Sequence, residues 1–264
     1  MRYHCCALNI AYTALVFASL YAAPSHAEDS VEYTGTATSL KTQEFLYGEK
    51  HVLGYRDGKL AERAVLYTCR DGSPFARKTV NYVNPLAPDF TFEDASNGMR
   101  EGVRSEGGKR VVFFRGRYAD MEKMGDLPKI PELVVDAGFD EFVRENWSDL
   151  LSGKAMRMNF LVPSRVTDMG FKVQHERSDT ADGTPVEVFR LNLAGILGLI
   201  LPGIDVYYSA ADHVLIKYVG LSDLRDSSGD NNYKVTIEFH PGDRKPGDIR
   251  FLEDARQARL APCK

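Results

Sequence analysis

Only one stretch of this chain, Val134 to Gly153 (VVDAGFDEFVRENWSDLLSG), has the spacing of an amphipathic helix, and everything else has to be arranged around it. Phe139, Phe142, Val143, Trp147, Leu150 and Leu151 recur at helical intervals and share one face, while Glu141, Arg144, Glu145, Ser148 and Asp149 fall opposite. Asp136 is placed to cap the first turn with its carboxylate, and Gly153 to end the helix in a left-handed conformation. An apolar face that includes the chain's one Trp needs a partner, and the remaining sequence offers strands.

Strand signals dominate both flanks. Asp57-Gly58 and Asp71-Gly72 separate strand-length runs at Phe45–Tyr55, Leu60–Cys69 and Phe75–Val83, as expected of consecutive hairpins. In the middle run Arg63, Val65, Tyr67 and Cys69 alternate with Ala64, Leu66 and Thr68, so both faces are fairly apolar and both should be covered. Asn84-Pro85 and Ala87-Pro88 interrupt the sheet, which resumes over Arg100–Arg117 through a turn at Gly107-Gly108. The segment 118–131, with two prolines and mixed charge, reads as a connection and as the one plausible internal boundary.

Beyond the helix, strands are expected at Lys154–Val162, Phe171–Arg177, Val186–Leu193 after Asp182-Gly183, Val206–Tyr208 and His213–Val219. Tyr233–Phe239 alternates cleanly enough to have one wet face. The resulting fold class is mainly β: an antiparallel curved sheet or incomplete barrel, with one amphipathic helix packed on its concave face. A single β-rich domain over 28–240 and a charged tail over 241–264 complete the plan.

The first 27 residues read as a signal peptide: Arg2, an apolar run from Ile10 to Ala23, and Ser25-His26-Ala27 as the cleavage site. That run falls short of the ~20 residues that span a bilayer, and no other stretch approaches it. A soluble periplasmic protein without an integral membrane segment is therefore expected. With Arg2 removed, 32 Lys and Arg stand against 37 Asp and Glu, an acidic balance that excludes nucleic acid as a partner. Past the leader, Cys69 and Cys263 remain; they either pair, tying the tail to the body, or stand as two thiols.

Known catalytic motifs are missing. There is no Gly-x-Ser-x-Gly elbow, no His-Glu-x-x-His and no phosphate-cradling glycine loop. His51, His175, His213 and His240 are widely separated and read as surface or strand histidines, and Asp223, Asp226 and Asp230 as an acidic hairpin loop rather than a calcium site. Ser164, with no base nearby in sequence, reads as structural. No catalytic residue, metal ligand or cofactor is assigned.

One segment fits no strand. Leu191–Ile204 (LNLAGILGLILPGI) is almost continuously apolar yet holds Gly195, Gly198, Pro202 and Gly203. It is either a buried connection or short core helix, or a bendable apolar lid. On the second reading Leu193, Ile196, Leu197, Leu199 and Ile200 join Phe139, Phe142, Val143, Trp147 and Leu150 around a site for an apolar ligand.

The stretches GFDEFVRENWSDLLSGKAMRMNFLVPSR (Gly138 to Arg165) and YVGLSDLRDSSGDNNYKVTIEF (Tyr218 to Phe239) resemble those of exported proteobacterial proteins of unassigned function, over about a fifth of the chain. The overall plan resembles the periplasmic lipoprotein-carrier (Lol-type) half-barrel. That resemblance implies a periplasmic location and a concave apolar surface. The expected function is non-enzymatic binding of an apolar small molecule or lipid between sheet and helix. The alternatives are a hydrolase whose site is assembled in three dimensions, or an envelope scaffold or assembly factor that contacts another envelope protein.

Overall fold

A computed structural model describes Met1 and residues 29–195, 203–226 and 228–264. The expected signal peptide, apart from Met1, lies outside the described residues, as do Ile196, Leu197, Leu199 and Ile200 of the apolar segment.

The first arm of the fold is a run of antiparallel neighbours: β1 (Asp29–Ser39), β2 (Phe45–Arg56), β3 (Lys59–Thr68), β4 (Pro74–Asn81), β5 (Asp89–Asp94), β6 (Arg100–Glu106), β7 (Lys109–Arg115) and β8 (Lys123–Asp126). The chain then forms β9 (Leu133–Val134), α1 (Gly138–Glu145) and α2 (Trp147–Leu151). The second arm consists of β10 (Met156–Val162), β11 (Thr167–Ala181), β12 (Thr184–Leu193), β13 (Ile204–Ser209), β14 (Leu215–Arg225) and β15 (Asn232–Phe239). Pairing of β1 with β15 joins the arms into one sheet, and β16 (Lys245–Pro246) adds to the start of β1. Among the described residues all pairs are antiparallel except β9 with β10.

The hairpins are where the sequence places them. Asp57 and Gly58, Gly107 and Gly108, and Asp182 and Gly183 all have positive φ at both residues, the backbone that a two-residue turn between right-twisted strands demands. The Asp71-Gly72 turn is wider, with Asp71 Oδ1 accepting from Ser73 N at 2.9 Å. Among the strands that escape the sequence reading are β5, which follows the prolines after Asn84, and β8, inside the stretch expected as a connection.

The sheet is not closed. Among the described residues β8 and β9 are its ends, and no ladder joins them. The turn after β10 fills the space between: a Cβ on Gly125 of β8 would lie 2.6 Å from Val166 Cγ1. The result is the expected incomplete barrel.

The expected single helix differs in detail. Val134 belongs to β9, Asp136 has φ 45° and caps nothing, and the helix breaks at Asn146, whose Nδ2 donates to Phe142 O at 2.8 Å. Leu151, expected on the apolar face, is exposed, while Phe142, Val143, Trp147 and Leu150 are buried. They pack with Met158, Val173, Phe189 and Tyr208 of the second arm. Each such side chain contributes roughly 1.5–3 kcal/mol of burial, as an upper figure. Gly153 does end α2 with φ 87°.

The C-terminal stretch carries α3 (Arg250–Gln257), whose Leu252 and Ala255 pack on Val52 and Ala64 on the convex side. This explains the two apolar faces of β3: Val65 and Tyr67 belong to the core within the curve, while Ala64 lies beneath α3. Cys263 is bonded to Cys69 with Cα atoms 5.6 Å apart, so the end of the chain is tied to the end of β3.

Candidate functional site

Alternation on three neighbouring strands sends an unusual set of side chains into the concave face. Glu49 and His51 come from β2, Arg63, Val65 and Tyr67 from β3, and Lys78 from β4; the register sets His51 opposite Val65, and Val65 opposite Lys78. Across from them stand Asp136, Ala137, Phe139 and Asp140 at the start of α1. The second arm supplies Phe160, Phe171, Leu191, Ile204, Val206, Leu215, Tyr218, Leu221, Asp223, Ile237 and Phe239. Together these residues enclose a cavity of about 270 Å³ between α1 and the sheet, polar towards the first arm and apolar towards the second.

The polar end is a connected network. His51 Nε2 lies 2.7 Å from Glu49 Oε2, and its Nδ1 lies 3.1 Å from Arg63 Nη2. Arg63 can only donate, so Nδ1 accepts and Nε2 carries the proton towards Glu49. Burial lowers the His51 pKa to about 4, so the ring is neutral at pH 7. The imidazole also stacks on Tyr33, with ring centroids 4.5 Å apart and planes 6° from parallel. Arg63 donates onward to Tyr33 Oη at 3.1 Å and to Asp140 Oδ2 at 3.4 Å, while Asp140 Oδ1 accepts from Tyr208 Oη at 2.7 Å.

Lys78 occupies the middle of this end, its Nζ 2.5 Å from both Asp136 Oδ1 and Asp223 Oδ2. Burial opposes its charge, yet the two carboxylates hold its pKa well above the ordinary lysine value. Here lies the reason Asp136 does not cap the helix: its carboxylate is drawn to a buried ammonium. Its second oxygen, Oδ2, is buried without a hydrogen-bond partner.

Backbone geometry holds the two sides together. A Cβ on Gly35 would meet Phe239 Cε1 at 2.4 Å, so only glycine lets the Phe239 ring lie across β1 and reach Tyr33 and His51, at centroid distances of 5.8 and 5.5 Å. Gly138 is equally constrained, with Leu86 O 2.0 Å from where its Cβ would be. The start of α1 is thereby pressed onto the loop before β5.

Chemically, this arrangement can enclose an apolar body and meet a polar group at one end. Both ring nitrogens of His51 are occupied, and among the described residues the lining contains no Ser, Thr or Cys. The other described histidines lie elsewhere: His175 pairs with Glu187 at 2.7 Å, His240 with Asp182 at 3.3 Å, and His213 stacks on Trp147. Ser164 sits in the short helical turn Pro163–Arg165, and Asp226 folds its own loop by accepting from Ser228 Oγ and Asn231 Nδ2.

Of the residues expected around the ligand, Phe139 lines the cavity. Phe142, Val143, Trp147 and Leu150 instead form the packing layer beneath the helices. Leu193, half-buried at the end of β12 opposite Phe171, is not in the lining. Leu191 and Ile204, at the bases of the apolar segment, line the cavity and pair with each other. The polar end escapes the sequence reading, though it leaves a trace: Arg63 shares the parity of Val65 and Tyr67, and Lys78 that of Ala76 and Val80, a charge on the apolar side of a strand each time.

No family model matches the chain, and no curated protein matches it. Solved structures do. A β-barrel-like protein of domain of unknown function DUF1849 from Brucella abortus aligns with a TM-score of 0.47 and 11% identity, over 84% of this chain and 98% of that one. A putative outer membrane lipoprotein-sorting protein domain from Vibrio parahaemolyticus aligns with a TM-score of 0.33 and 9% identity, over 87% and 92%. A DUF1329 family protein from Desulfovibrio piger gives 0.32 and 8%, over 89% and 93%.

Proposed function

We propose that the protein is an exported, non-enzymatic binder of an apolar ligand, held in the cavity between α1 and the concave sheet. The observation that carries this reading is the cavity itself. Its second-arm wall is built from Phe160, Phe171, Leu191, Ile204, Val206 and Leu215, and its volume of about 270 Å³ stands at the low end of small-molecule sites. Several of these side chains, among them Phe160, Phe171 and Ile204, are only half-buried, which leaves apolar surface for a ligand to cover. Export is supported by the leader-like start of the sequence and by the Cys69–Cys263 bond, which suits an oxidising compartment. Among the described residues no helix is long and apolar enough to cross a membrane.

The test is direct. Protein purified without detergent is extracted with organic solvent and the extract read by mass spectrometry, and the stripped protein is titrated with N-phenyl-1-naphthylamine. A saturable rise in probe fluorescence, reduced severalfold by Ile204→Trp, is expected. A wild-type protein that takes up no probe and yields no extractable ligand overturns the proposal.

A further inference from the structure

The charges at the polar end say which head group the cavity suits. Its lining carries four carboxylates, on Glu49, Asp136, Asp140 and Asp223, against two cations, on Arg63 and Lys78. The imidazole of His51 adds no charge at neutral pH, since burial holds its pKa near 4. The phenols of Tyr67 and Tyr218 stay neutral, burial raising both. Arg144, the next cation towards α1, is matched by Glu141. Two negative charges are therefore left over in a partly enclosed space, where charges interact more strongly than in water.

The terminal nitrogens of both cations are also already engaged, and of the two side chains only Arg63 keeps a nitrogen, the buried Nε, without a partner. Lys78 is bracketed by Asp136 and Asp223, and Arg63 donates to Asp140, Tyr33 and His51. An incoming carboxylate or phosphate would have to displace these partners and then stand among their charges. The carboxylates are less committed. Asp136 keeps one oxygen without a partner, and Asp223, about half exposed at the cavity wall, spends only one oxygen on Lys78. Glu101 on β6, outside the lining, has its carboxyl raised to about 8 by burial first and then by the charge of Asp223, against the lowering effect of Lys78 and Arg225.

We propose that the ligand is a single-chain amphiphile with an ammonium head, the head set against Asp223 at the polar end and the chain against Phe160 and Phe171. This rests on the apolar-binding reading above and adds the chemistry of the head. The two rings, 5.9 Å apart and edge to face, give the chain a rigid apolar wall.

Three probes of equal chain length separate the possibilities: dodecylamine, dodecanol and dodecanoate, each competing with N-phenyl-1-naphthylamine for the full chain at pH 7. Dodecylamine is expected to compete at a concentration at least tenfold below that of dodecanoate, with dodecanol between them. Asp223→Asn should narrow the advantage of the amine over dodecanol at least threefold, and Asp136→Asn should act in the same direction. Melting curves identify any variant that has lost its fold. Dodecanoate binding as tightly as dodecylamine overturns the head-group assignment, as does an advantage for the amine that neither substitution changes. Binding of dodecanol alone overturns it too, while leaving the apolar-binding reading intact. Failure of all three compounds together with the reporter overturns both.

Discussion

Trp147 lies flat against His213, with ring centroids 3.8 Å apart and planes 19° from parallel. The same indole meets Phe189 edge-on at 5.0 Å, so it joins the helical layer to β12 and to the loop before β14. Trp147→Ala is expected to cost ~3–5 kcal/mol. A urea midpoint unchanged by the substitution would contradict the packing described for this side chain.

Gly138 gives the opposite of ordinary helix behaviour. Replacing a helical glycine by alanine gains about 1 kcal/mol on propensity alone. Here the added methyl would meet a backbone oxygen at 2.0 Å, and that carbonyl is itself held by Val135 N at 2.9 Å. Gly138→Ala should therefore destabilise by ~2–3 kcal/mol, in the range of overpacked sites, as read from denaturant midpoints.

Glu101 predicts a pH dependence. Its carboxyl is raised from an ordinary 4.5 to about 8, so the folded protein binds a proton there that the unfolded chain releases between those values. Stability is complete on this account below 4.5 and falls as the pH rises towards 8. Glu101→Gln removes the dependence: its advantage over the parent should grow by ~1 kcal/mol per pH unit across that window and level off above it. Midpoints measured from pH 5 to 9 check this, and a constant offset would refute the assignment.

The Cys69–Cys263 bond closes a loop of 194 residues by sequence separation. Limiting the unfolded chain over such a span is worth about 5 kcal/mol. The double substitution Cys69→Ser with Cys263→Ser should lower the unfolding midpoint accordingly, and added reductant should have no further effect on that variant.

Hairpins and the helix face were legible because each is determined by neighbours in sequence. Asp57-Gly58 and Asp182-Gly183 need positive φ at both positions, and Asp-Gly tolerates it. Phe142, Val143, Trp147 and Leu150 are buried as their spacing requires. The ends of the helix were not legible, since Asp136 gives up its capping role to a lysine 58 residues away. Nor was β8, a short edge strand whose Lys-Met-Gly-Asp sequence has little strand character of its own. The polar end of the cavity depends on the same distant pairings. Parity marks Arg63 and Lys78 as inward, but their partners Asp140, Asp136 and Asp223 come from elements that meet only in the folded sheet.

The place of β1 sets the order in which this fold can be finished. Although it is the first strand described, it lies inside the sheet, with β2 on one side and β15 and β16 on the other. Each arm can assemble from hairpins between adjacent strands, a rapid and local process. The seam between the arms cannot, for Gly35 must find Phe239, and Ala37 must find Ile237, across nearly the whole chain. A polypeptide emerging amino end first therefore presents one edge of β1 unpaired until its last long strand arrives. That waiting edge is the point at which a chaperone would have most to protect.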